Sequence, residues 1–147
     1  MDKISWNILR ILQQDARVSY ADLGKQVHLS APAVAERIKR MEEAGIITGF
    51  TTCIDLDAVG YPIVAHIQAR VFLGKEKAFI DHVKQTPGLL SCDNVTGEKA
   101  FLMKVAVKNM KSLDRILEQF STLSETNSMI LLSTIADNIV DMPQQID

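Results

Sequence analysis

Residues 15–50 read DARVSYADLGKQVHLSAPAVAERIKRMEEAGIITGF, and the way this stretch folds decides how the rest of the chain is read. Ser19 offers a side-chain oxygen to the free N–H groups of a helix start, and Leu23 and Val27 share one face of the helix that follows. Gly24 gives that helix a small surface that another helix can cross closely. His28 falls in the turn, where positive φ is tolerable for His. Ser30 starts the next helix with Pro32 in its first turn, where the missing N–H has no helical partner, and Gly45 stops it after about Ala44. Val34, Ile38 and Met41 form its buried stripe, while Ala33, Arg37 and Arg40 fall along one line of the other side, beside Glu36.

Upstream, Asp2 is a suitable cap for a helix over residues 3–14, whose stripe is Ile4, Ile8, Ile11 and Leu12. Trp6 lies off that stripe and reads as a packing residue. Three short helices, a tight turn before the third and a basic third helix are the parts of a major-groove reader. Small residues at its start let the helix enter the groove, its N-terminus favours phosphate oxygens, and arginines reach guanine edges or phosphates. The candidate DNA contacts are Ser30, Ala31, Pro32, Ala33, Glu36, Arg37, Lys39 and Arg40. A three-helix interaction domain with a solvated basic face is the bland alternative. Charge supports a local contact: the chain is −2 overall, yet residues 25–40 carry Lys25, Arg37, Lys39 and Arg40 against Glu36 alone.

Downstream, residues 47–56 resemble a strand, and Asp57 to Pro62 supply turn and breaker residues that put a boundary near residue 60. Ile63, Ala65, Ile67, Ala69 and Val71 alternate with a mixed face, as in a strand covered on one side. A helix over 75–85 ends at Pro87-Gly88. Strands over 89–96 and from Phe101 to Val107 form a hairpin around Gly97-Glu98-Lys99. Asn109 caps a helix with stripe Leu113, Ile116, Leu117 and Phe120, and Ser128 to Ala136 reads as a last apolar strand. The order β-α-β-β-α-β predicts a ferredoxin-like sheet with both helices on one face. Its other face carries His66, Gln68, Arg70, Leu102 and Lys104, which a second subunit would cover.

The fold class is therefore α+β: a (winged) helix-turn-helix domain over residues 1–50, a strand and linker over 51–61, and a ferredoxin-like domain over 62–147. At 147 residues with 47% apolar and 23% charged side chains the chain is a folded protein whose small halves gain from association. No secretory leader or membrane-length apolar run is legible, so the reading is cytoplasmic with no membrane partner. Cys53 and Cys92 lack metal-ligand or disulfide spacing, and no nucleophile constellation or phosphate-binding glycine loop occurs, so no cofactor, metal or catalytic residue is expected.

Leu29-Ser30, Glu36-Arg37, Met41-Glu42, Gly45-Ile46-Ile47 and Gly49-Phe50 fall where the leucine-responsive regulator family, Lrp/AsnC, has its characteristic pattern. The chain resembles that family over nearly its whole length, by motif in the first part and by element order in the second. The resemblance implies a regulator of double-stranded DNA, a homodimer assembling to an octamer, and an amino acid or related effector bound between dimers. By position that effector falls to Thr96, Gly97, Glu98, Lys99 and Ala100, with Ser133 and Thr134 contributing across the interface. Here the sequence departs from the family: an aspartate common soon after the glycine is replaced by Ala100, and Glu98 offers an acid from a different point on the turn. A plain hairpin in an oligomer contact is the competing reading of 96–100. Two further functions fit the same parts: a nucleoid-organising protein with little sequence preference, and an enzyme like the siroheme decarboxylases, for which only His66 and Arg70 speak.

Overall fold

Local capping chemistry sets each helix of the first part. In the computed structural model, which describes residues 1–136, Asp2 Oδ1 accepts from the Ser5 N–H at 2.8 Å and opens α1, Lys3–Gln14. Ser19 Oγ accepts from the Asp22 N–H at 3.1 Å at the head of α2, Tyr20–Val27. His28 ends α2 in the left-handed conformation, φ 57°. Ser30 Oγ accepts from the Ala33 N–H at 3.4 Å and starts α3, Ala31–Glu43. Gly24 lets the turn and the head of α3 come close: a Cβ there would lie 2.5 Å from the Leu29 carbonyl oxygen and 3.6 Å from the Ala31 nitrogen. Ile8, Leu12, Leu23, Val27, Val34, Ile38 and Met41 are buried together, each contributing about 1.5–3 kcal/mol by leaving water.

The chain divides into two compact units, the first built on Met1–Thr52 and the second on Cys53–Thr134. The strand expected over 47–56 does not form; among the described residues no strand precedes Ile63, so the wing has no counterpart here. A strand needs a neighbouring row of N–H and C=O groups, and among the described residues no ladder reaches this segment. Ile46 and Ile47 instead direct their N–H groups to the Met41 carbonyl, closing off α3, and Phe50 and Ile54 are exposed.

The second unit is a four-stranded antiparallel sheet of order β2-β3-β1-β4, from β1 (Ile63–Val71), β2 (Leu89–Asn94), β3 (Phe101–Val107) and β4 (Ser124–Ile130). Ala65, Ile67 and Ala69 of β1 with Phe101, Met103 and Val105 of β3 face one buried core. Helices α4 (Glu76–Lys84) and α5 (Met110–Phe120) close that core with Phe79, Val83, Leu113, Ile116 and Phe120. Phe79 anchors it, its ring 4.8 Å from Phe101 and 5.2 Å from Phe120.

The last strand is not Ser128 to Ala136. It begins four residues earlier because the turn after α5 is short: the Phe72 N–H donates to the Leu123 carbonyl, which sets Ser124 opposite Val71 and Ile130 opposite Ala65. β4 is an edge strand, and its polar composition SETNSMI does not obstruct pairing. The apolar run that suggested a strand passes beyond the ladder after one more bond, Leu131 N–H to Val64 O, leaving Leu132 94% and Ile135 93% exposed. β2 likewise stops at Asn94, two residues short of the expected end.

Candidate functional site

α3 presents the basic line that the sequence implies, but its arginines are not equivalent. Ser30 and Pro32 are exposed at its start, with Ala31 and Ala33 half-buried beside them. Arg40 is 73% exposed and paired to Glu36 one turn back, Nε to Oε1 2.9 Å; Lys39 lies 3.7 Å from Glu43 Oε1. Exposed pairs of this spacing are worth about 0.3–0.5 kcal/mol, so a phosphate can displace them at little cost. Arg37 is only 31% exposed. It donates from Nη1 to Asp2 Oδ2 at 2.7 Å and to Ser5 Oγ at 3.0 Å, and all three line a hollow of about 540 Å³ together with Ala33, Glu36, Arg40 and Ile46.

Asp2 thus uses one carboxylate oxygen to cap α1 and the other to seat Arg37. The Ser5 backbone N–H, then the Ser5 hydroxyl and the Arg37 guanidinium, hold its carboxyl far below the usual carboxylate range. Arg37 accordingly ties α3 to α1. The cap at Asp2 is legible from sequence, but its second role joins residues 35 apart in the chain and has no local signal.

The β2–β3 hairpin places Thr96, Gly97, Glu98 and Lys99 at its tip, closed by the Val95 N–H to Ala100 carbonyl bond at 2.7 Å. Gly97 has φ 118°, and a Cβ there would meet nothing within 4 Å. Behind the tip stands Arg70 of β1, which the sequence placed on the outward face and, with His66, in the enzyme alternative. It bridges to Glu125, directly opposite on β4, with its Nε donating at 3.2 Å and a closer contact from Nη2. Its Nε also lies 3.6 Å from Oε1 of Glu98, itself 79% exposed. The Glu125 carboxyl is held below its ordinary value, chiefly by the hydrogen bond and charge of Arg70, with Lys99 adding a smaller pull. Beside this ladder a hollow of about 270 Å³ is lined by Phe72, Gly74, Asn94, Glu98, Ala100 and Phe101.

Ser133 and Thr134 do not join the tip within one chain. They follow the end of β4 that pairs with Ala65, whereas the tip adjoins the Ala69 end of β1. At about 3.3 Å per residue the length of β1 separates them. His66, opposite Lys104 and Met129, and Arg70, already bound to two carboxylates, are not drawn together. No helix among the described residues is long and apolar enough to cross a membrane.

This geometry has relatives. Residues 1–42 match the model of the AsnC-type helix-turn-helix domain, and residues 65–140 that of the Lrp/AsnC ligand binding domain. The HTH-type transcriptional regulator Rv2324 of Mycobacterium tuberculosis is 32% identical over 146 residues, covering 95% of this chain and 97% of that protein. The solved structure of LrpC from Bacillus subtilis superimposes with a TM-score of 0.87 at 26% identity, over 92% of this chain and 97% of that one. A Neisseria meningitidis regulator, NMB0573, solved as an L-Met complex, shares the fold with a TM-score of 0.86 at 24% identity over 93% of each chain.

Proposed function

We propose, since this chain belongs to the Lrp/AsnC family of transcriptional regulators, that it reads specific double-stranded DNA through α3 and answers to an amino acid or a related small effector. The observation that carries the DNA reading is the exposed line of α3: small residues at its head, and Lys39 and Arg40 beyond, held only by weak helical pairs. Ser30, Ala31, Pro32 and Ala33 enter the groove, with the α3 N-terminus toward a phosphate. Lys39 and Arg40 contact backbone or base edges beside Glu36. Arg37, seated on Asp2 and Ser5, positions the helix.

The outward sheet face, with Val64, His66, Gln68, Leu102 and Lys104 half-buried, is suited to cover by a second copy in a homodimer working in the cytoplasm. Such a dimer presents two α3 helices to half-sites one helical turn apart, about 34–36 Å between centres. Dimers associate further, to an octamer, where Ser133 and Thr134 of one copy approach Thr96, Gly97, Glu98, Lys99 and Ala100 of another. Backbone groups of the Gly97 turn take the effector carboxylate and Glu98 its amino group, in place of the acid absent at Ala100. The L-Met complex of NMB0573 makes methionine the first amino acid to try.

Binding to the DNA upstream of its own gene and to random duplex, across a salt series with and without single amino acids, tests both parts. Specific binding that shifts with one amino acid is the expected result. Salt-steep binding without preference replaces it with an architectural role, and absence of DNA binding overturns the reading.

A further inference from the structure

A second hollow lies at the opposite end of β3 from the Gly97 tip, on the helix side of the sheet, with a volume of about 380 Å³. That is within the range of small-molecule sites. One wall is a face of α5: Ser112, Arg115, Ile116 and Gln119 recur at three- and four-residue spacing and so line up. The floor is Val107 and Ile116, both buried. The facing wall is the Pro87-Gly88 turn, fixed to β3 because the Ala106 N–H donates to the Gly88 carbonyl at 2.8 Å. A Cβ at Gly88 would stand 2.1 Å from the Ala106 oxygen, so no side chain fits between the two backbones here.

Charge gives the hollow its chemistry. Lys108 and Arg115 both line it, and no acidic residue among the described ones does. Neither cation has a carboxylate partner among the described residues, unlike Arg37, Lys39, Arg40 and Arg70, each of which has one. The Lys108 ammonium stands 5.6 Å from the centroid of the Tyr61 ring, parked over an aromatic face at the edge of the space. Two unpaired cations above an apolar floor, with a Gln119 amide and a Tyr61 hydroxyl at hand, match a ligand with an anionic head and a short apolar body.

We propose that this hollow is a binding site for a small organic carboxylate, separate from the hairpin tip and independent of the reading given to that tip. Lys108 and Arg115 hold the carboxylate, and Val107 and Ile116 receive the hydrocarbon part. The ligand class is the simple organic acid, because among the described residues the site offers donors and cations but no acid for an α-amino group.

The test is a titration of the full chain with isocaproate and phenylacetate, followed by chemical-shift changes at Tyr61, Gly88, Val107 and Ile116 and by calorimetry. Isocaproamide and inorganic phosphate serve as neutral and charge-only controls. The expected result is saturable shifts at those four residues, with at least about tenfold weaker binding of the amide and of phosphate. The double variant Lys108→Met, Arg115→Met is expected to lose about tenfold or more in affinity, while Gly97→Val leaves it unchanged. Absence of shifts at the four residues overturns the site. Equal binding of the amide removes the anionic head from the proposal, and equal binding of phosphate removes the apolar body. Should the double variant fail to fold, the amide comparison on the unaltered chain still decides.

Discussion

Arg37 and Arg70 each meet carboxylates, yet the two regions use the contact differently. Arg37 lies half-buried in the helical unit, bound to a single acid that is also the cap of α1. Arg70 lies at the surface of the sheet, shared between Glu125 across a strand pair and Glu98 on the hairpin tip. One pair is part of the frame that sets a helix. The other joins a strand edge to a proposed ligand turn, with two exposed carboxylates on one guanidinium. An arginine on a recognition helix is therefore not by that fact a reader, and one on a sheet face is not by that fact structural.

The largest effect that would separate them comes from Ile8→Ala. Ile8 is fully buried between the helices, so truncation should cost about 2–5 kcal/mol, loosen the α1 seat of Arg37 and leave the Arg70 ladder intact. Hydrogen exchange should show the first unit opening while β1, β3 and β4 keep their protection; loss in both would mean that the units do not act separately.

Next, Arg37→Ala should weaken specific and random duplex in equal proportion, because a seated guanidinium positions α3 for any sequence. A specific loss exceeding the random one by about tenfold would show that Arg37 leaves Asp2 to read a base. Arg40→Ala should lower the salt slope of binding by about one, as for a single phosphate contact.

Acid offers a finer division. Asp2 and Glu125 both have folded pKa values below the ordinary 3.8 and 4.5. Each contribution to stability is present above that ordinary value and lost as pH falls through the depressed folded one. Asp2→Asn keeps a capping oxygen and should flatten only the acid limb of the helical unit; Glu125→Gln should flatten only that of the sheet. Thermal melts from neutral pH downward, followed by a probe in each unit, check the assignment. The smallest effect is that of Glu98→Gln, expected to leave stability within about 0.5 kcal/mol because Arg70 retains Glu125, while response to the amino-acid effector weakens. A clear drop in melting temperature would make Glu98 structural and the comparison unsound.

What could be read from the sequence followed the range of each interaction. Asp2, Ser19, Ser30 and Asn109 act on N–H groups three residues away, and all four caps form. The alternation of β1 and β3 was legible because one face is buried along most of its length. β4 was misplaced because Ser124 is fixed by its partner Val71 and by the turn after α5, not by its own apolarity. The 47–56 segment has strand-like residues, but among the described residues no strand pairs with it. At the site, the basic line of α3 was visible, whereas the Arg37 seat and the Arg70 ladder join residues 35 and 55 apart and follow only from the tertiary fold.

Gly97 combines a positive φ with open space where an L residue's Cβ would stand. The obstacle to a side chain there is handedness, not room. A residue of opposite chirality enters that half of torsion space without the strain an L side chain would meet. A chain assembled by ligation with D-alanine at this position, or a D-residue bearing a fluorophore, should keep the hairpin. It would place a reporter on the turn while leaving Glu98 and Lys99 as nature supplies them.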